Sequence, residues 1–125
     1  MKRLVMYIFV LFLIIGLNAC ASTEKKTYVI GISQPFMGHP IRKAGQILID
    51  AWAAEHPEVT IYVTDGQLNA QKQIADIEDL MAKEVDILLV AAHQSATLVG
   101  VLREVKAAGI PIIPFDRVLT DASVQ

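Results

Sequence analysis

The sequence has a single cysteine, Cys20, among 125 residues. No internal disulfide can staple it, which excludes the oxidised framework of small secreted domains. Its three histidines, His39, His56 and His93, stand apart without cysteine partners, so neither a metal centre nor a Cys-His nucleophile is expected. Basic residues form only isolated doublets, Lys25-Lys26 and Arg42-Lys43. A nucleic-acid partner needs a clustered basic surface to displace counterions, and none is expected here. Gly31 is followed by Ile32-Ser33-Gln34, not by a Gly-x-Gly-x-x-Gly continuation, and no Gly-Lys-Ser/Thr loop occurs. Dinucleotide and P-loop chemistry are thereby set aside, and no cofactor is expected.

What is abundant is apolar, 54% of the chain, and unevenly placed. Met1-Lys2-Arg3 is a basic start, residues 4–17 are apolar without a charge, and Asn18-Ala19-Cys20 precedes the polar Ser22-Thr23-Glu24-Lys25-Lys26. That order is an export signal. Its apolar run is shorter than the roughly 20 residues a spanning helix needs, so a permanent transmembrane anchor is the weaker alternative. Leu17-Asn18-Ala19-Cys20 resembles the bacterial lipoprotein box, in which cleavage leaves the cysteine first and acylated; Asn18 departs from the usual small residue. An ordinary signal cut nearby, leaving a stray thiol, is the other reading. The expected organisation is a signal peptide at 1–19, a tether at 20–27 anchored to a membrane face through lipid on Cys20, and one lobe of a binding domain at 28–125. Removing the signal takes Lys2 and Arg3 from 11 basic residues set against 13 acidic ones, leaving an acidic mature chain.

Four short runs rich in valine and isoleucine recur at 28–33, 59–63, 86–91 and 110–115. Apolar at nearly every position, they suit strands covered on both faces of a parallel sheet. Between them lie helical patterns. Ile41, Ala44, Leu48 and Ala51-Trp52 follow three-and-four spacing until His56-Pro57, which predicts a buried stripe with Trp52 in the core. Ile74, Ile77, Leu80 and Met81 form a second stripe behind a capping Asn69. Leu98, Val101, Leu102, Val105 and Ala108 form a third, with Ser95 or Thr97 as its cap and Gly109 as its left-handed terminus. The order β-α-β-α-β-α-β with right-handed crossovers predicts an α/β, doubly wound parallel sheet.

Ligands of such sheets bind beyond the carboxyl ends of the strands. Those ends carry Ser33-Gln34-Pro35-Phe36, Asp65-Gly66-Gln67, His93-Gln94-Ser95 and Asp116-Arg117. The last follows Ile112-Ile113-Pro114-Phe115 directly and sets a carboxylate beside a guanidinium. Such a pair suits a polyhydroxylated ligand, because each sugar hydroxyl both donates and accepts. Phe36 can lie against the apolar face of a sugar. The alternatives are that Asp116 and Arg117 neutralise each other or cap a turn, that Phe36 packs locally, and that Gly38-His39-Pro40 is only the turn entering the first helix.

With these residues in place, positions 28–120 resemble the type I periplasmic sugar-binding family, and most closely its galactofuranose-binding branch. Ser33-Gln34 followed by Arg42, Asp65-Gly66-Gln67 followed by Gln73, and Ile110-Pro111 leading into Asp116-Arg117 carry the resemblance. It implies the N-terminal lobe of a two-lobed clamp that closes on a monosaccharide and is read by a membrane ABC permease. Arg42, Asp116 and Arg117 match sugar-binding positions of relatives, and Gln34, Phe36 and Gln67 fall nearby. Ile41 stands where the branch usually has tryptophan, and Ala92 where proline is common. Arg42 as plain surface at a helix start is the alternative. Because relatives continue into a second lobe, the chain is read as incomplete. The expected function is that of a non-catalytic substrate-binding lipoprotein of a sugar importer; the alternative is an extracellular sensor for chemotaxis or a histidine kinase.

Overall fold

The computed structural model describes residues 26–117 together with Leu119, Asp121 and Val124, so the segment expected to be an export signal, and Cys20, lie outside the described residues. The elements alternate as β1 (Tyr28–Gln34), α1 (Pro40–Glu55), β2 (Val59–Asp65), α2 (Ala70–Ala82), β3 (Ile87–Val90), α3 (Ser95–Ala107) and β4 (Ile112–Pro114). The strands form one parallel sheet in the order β2-β1-β3-β4. This is the doubly wound α/β arrangement expected from the sequence. β1 and β2 pair along their whole length, to Gln34 opposite Asp65, and therefore run past the expected ends. β4 is shorter than expected, bounded by Pro111 and Pro114, which have no N–H for a ladder.

Alternation along the strands assigns the two faces. A Cβ on Gly31 would lie 3.2 Å from Val85 and 3.3 Å from Leu80, and the Ser33 hydroxyl meets Gln73, so odd-numbered residues of β1 face α2. Gln34 meets Arg42, so even-numbered ones face α1. The core lies on the α2/α3 side: Ile77, Leu80, Val85, Leu88, Val90, Leu98, Val101, Leu102 and Val105 are buried together, with Leu119 and Val124. Each such side chain contributes roughly 1.5–3 kcal/mol by leaving water. The second and third stripes are thus core, except that Ala108 is exposed.

The first stripe is not core. Ile41 is 74% exposed, Leu48 71% and Trp52 44%, and α1 has no buried residue. The flank partly covered by the sheet is Arg42, Gly45, Gln46, Ile49 and Ala53. Arg42 sets this rotation. Its guanidinium reaches Gln34 on β1 and Asp116 after β4, and at about 100° per residue Ile41 then turns outward. Hydrophobic spacing marks an apolar arc wider than one contact can bury, and it cannot tell which part of that arc docks.

Caps follow the sequence in part. The Asn69 side chain accepts from the Lys72 N–H at 3.0 Å, and Gly109 lies at φ 79 just past α3. The cap of α3 is Gln94, without a side-chain bond to the backbone; Ser95 is the first helical residue, and the Thr97 hydroxyl only donates to Gln94 Oε1. His39 caps α1, with Pro40 at the start of the helix, where its missing N–H costs nothing.

Candidate functional site

The carboxyl ends of the strands are laced together before any long side chain is added. The Gly66 N–H donates to the Gln34 carbonyl at 2.8 Å, and the Leu68 N–H to that of Pro35 at 2.8 Å. Asp65 Oδ1 accepts from the N–H groups of Met37 and Gln67, each at 3.0 Å. This draws the β1–α1 and β2–α2 loops into contact and leaves little room for a side chain between them: a Cβ on Gly66 would lie 3.1 Å from both the Gln34 carbonyl oxygen and Gln73 Cβ, so the loops would have to part slightly to admit one. Gln67 and Leu68 then turn the chain at φ 53 and φ 58, closed by the Asn69 N–H on the Gly66 carbonyl. Backbone of this kind is costly for side-chain-bearing residues and tends to gather at working surfaces.

On this rim the first turn of α1 sends Arg42 back over the sheet. One nitrogen of its guanidinium donates to Gln34 Oε1 and the other to Asp116 Oδ2, the latter at 2.5 Å. The Arg42 side chain is 16% exposed and that of Asp116 49%, so the pair faces outward from a covered base. Asp116 sits at φ 66, and the Arg117 N–H bonds the Phe115 carbonyl at 2.7 Å across it. Beside the pair lies a concavity of about 380 Å³ lined by Gln34, Ile41, Arg42, Gly45, Ile49, Phe115 and Asp116. Its volume lies in the range of small-molecule sites. One wall supplies donors and acceptors and the other is aliphatic and aromatic, which matches a polyol with a C–H face.

Of the six ligand candidates, the structure brings Gln34, Arg42 and Asp116 into one cluster. Arg117 is the neighbour of Asp116 but turns towards β3, where its Nη1 donates to the His93 carbonyl at 3.0 Å. Phe36 folds over its own loop: a Cβ on Gly38 would overlap its ring, as local packing requires. Gln67 is exposed on the β2–α2 turn and does not line the concavity. Among the described residues no group of three His, Cys, Asp or Glu is placed to hold a metal ion.

Sequence reasoning missed the apolar wall. Ile41, Gly45 and Ile49 recur at i, i+4 and i+8, a spacing that was available, but the neighbouring Ile41, Ala44, Leu48 and Trp52 set outcompetes it by hydrophobicity. Phe115 was read only as strand. Gln73 has more contacts than its sequence suggested: its Nε2 donates to Ser33 Oγ at 3.1 Å and to the Ala91 carbonyl at 2.8 Å, and its Oε1 accepts from the His93 N–H at 2.9 Å.

Comparison with known proteins agrees with this architecture. Residues 30–124 match the family model of the periplasmic binding protein domain. The ribose import binding protein of Bacillus subtilis is 27% identical over 104 residues, 83% of this chain and 34% of that protein. A Mycobacterium smegmatis protein solved with β-D-fucofuranose superposes at a TM-score of 0.68 with 29% identity, over 78% of this chain and 33% of that one. A galactofuranose-binding protein superposes at 0.68 with 27% identity, over 78% and 33%. The chain thus spans about a third of the length of the relatives it matches. It belongs to the type I periplasmic sugar-binding family, and corresponds to part of the N-terminal lobe.

Proposed function

We propose that the chain supplies one wall of a monosaccharide-binding clamp, in the substrate-binding lipoprotein of a bacterial ABC importer, exported and held at the cell envelope by lipid on Cys20. The observation that carries the reading is the convergence of Gln34, Arg42 and Asp116 from three separate elements beside the apolar wall of Ile41, Ile49 and Phe115. Arg42 and Asp116 together offer fixed donors and acceptors, and they largely neutralise each other, which suits an uncharged polyol better than an anion. Arg117 adds a second guanidinium at the same rim. Nothing in the cluster is arranged as nucleophile and base, so binding without turnover is the function it fits. The likeness to a ribose import binding protein, to a galactofuranose-binding protein and to a protein solved with β-D-fucofuranose supports a furanose or other monosaccharide and a permease partner. Calorimetry of the natural full-length polypeptide with D-ribose, L-arabinose, D-galactose and D-fucose tests this. One of them binding at micromolar affinity or tighter, unchanged after incubation, is the expected result; no binding to any, or chemical conversion of one, overturns it.

A further inference from the structure

We infer that Gln73, buried on α2 and remote from the concavity, is a positioning residue for Arg117, and that it fixes the second guanidinium of the rim before a ligand arrives. Its consequence for affinity rests on the monosaccharide reading above; its consequence for Arg117 does not.

The buried positions of α2 are Ala70, Gln73, Ile77 and Leu80, one stripe at three-and-four spacing. Three are apolar, and an aliphatic side chain of similar length would complete the stripe. A primary amide there is unfavourable unless its N–H groups and carbonyl find partners. Gln73 finds three, and two of them flank Ala92: the Ala91 carbonyl at 2.8 Å and the His93 N–H at 2.9 Å. This is where β3 has ended at Val90 and the ladder no longer serves every backbone group. The amide stands in for a missing strand neighbour and holds the chain in one path as it leaves the sheet.

That path decides where the His93 carbonyl points, and this carbonyl receives Arg117 Nη1 at 3.0 Å. An arginine on an exposed rim otherwise spreads over many rotamers, and ordering it in advance removes that cost from the binding step. Asp116 and Arg117 are thus pinned from opposite faces of the sheet: Asp116 by Arg42 of α1, and Arg117 by His93, itself held by Gln73 of α2. A buried polar group that breaks a local pattern is where a functional constraint is to be sought.

The test compares wild type with Gln73→Met in the natural full-length polypeptide, by ¹⁵N NMR of the arginine side chains without ligand. The expected result is that the Arg117 guanidinium, distinct and slow to exchange in wild type, moves to the position and exchange rate of a free arginine in Gln73→Met. Ser33→Ala, which removes a different partner of the same amide, leaves it unchanged. If Gln73→Met does not fold, Gln73→Asn, too short to reach His93, takes its place. A second arm is a double-mutant cycle with whichever of D-ribose, L-arabinose, D-galactose or D-fucose binds. Arg117→Ala lowers affinity about tenfold in wild type and about twofold or less once Gln73 is replaced. A purely structural Gln73 leaves the tenfold effect intact, and that result, or an unmoved Arg117 signal, overturns the inference. If none of the sugars binds, the functional reading fails while the NMR arm still decides the role of Gln73.

Discussion

Replacing Asp116 by glycine separates the fold from the site. Asp116 lies at φ 66 in a turn closed by the 2.7 Å bond between the Arg117 N–H and the Phe115 carbonyl. Left-handed backbone costs a side-chain-bearing residue roughly 1–2 kcal/mol, which glycine does not incur. The carboxylate also bonds Arg42 at 2.5 Å. A hydrogen bond to a charged group contributes about 1.5–3 kcal/mol, but Asp116 is half exposed, and screening brings such a pair down to about 1 kcal/mol or less. In Asp116→Gly the relieved strain and the lost pair oppose each other, and stability stays within about 1 kcal/mol of wild type. Asp116→Ala keeps the strain and loses the pair, and falls by about 1 kcal/mol. Binding has no such offset. On the proposed function both variants remove an acceptor from the sugar, and affinity is expected to drop at least about tenfold. Urea unfolding followed by far-UV circular dichroism, beside calorimetry of the bound sugar, reads both quantities. Wild-type affinity in Asp116→Gly, or a glycine variant less stable than the alanine one, refutes the reasoning.

Arg42→Ala, which removes the side chain that joins Gln34 to Asp116, is expected to weaken sugar binding about tenfold or more, and wild-type affinity by calorimetry would refute this. Thr64 has a buried hydroxyl oxygen without a hydrogen-bond partner among the described residues; Thr64→Val is expected to raise unfolding stability by about 1 kcal/mol, measured by urea titration. Leu98→Ala, in the buried cluster, is expected to cost about 2–5 kcal/mol, whereas Leu48→Ala, on the outer flank of α1, changes stability by about 0.5 kcal/mol or less. Equal losses at Leu98 and Leu48 would show that both faces carry core. Mass spectrometry of membrane-extracted protein is expected to find Cys20 as the acylated first residue; an unmodified thiol there removes the lipid anchor from the proposed function.

The sheet was legible because its strands are apolar at nearly every position and its helices carry stripes whose period admits one reading. α2 and α3 obey that logic, and Ile77, Leu80, Leu98 and Val105 lie where their spacing puts them. α1 does not, because Arg42, a single polar contact between the helix and two strand ends, decides its rotation, and hydrophobic periodicity has no knowledge of such a contact. The rim was legible as a set of polar strand ends, which is how Gln34 and Asp116 were found. Their convergence with Arg42 was not readable from spacing, since Arg42 and Asp116 lie 74 residues apart in sequence. Gln67 and Phe36 occupy the same edge but turn elsewhere, for reasons held in φ angles and loop packing that a residue type does not encode. Gln73 carried a signal, a polar residue within an apolar stripe, that points to burial with partners without naming them.

The outward rotation of α1 also determines what an optical measurement on this protein sees. Trp52 is the single tryptophan of the sequence, and it is stacked on His56, with ring centroids 3.8 Å apart, at the last turn of the helix that has no buried residue. Its emission reports the solvation of that turn and its contact with an imidazole. The cluster of Ile77, Leu88, Leu98 and Val105 lies on the opposite side of the sheet, beyond its reach. An unfolding curve drawn from tryptophan fluorescence can therefore register loosening of α1 while the core is still intact, and a midpoint lower than that from circular dichroism would measure the unequal attachment of the two faces.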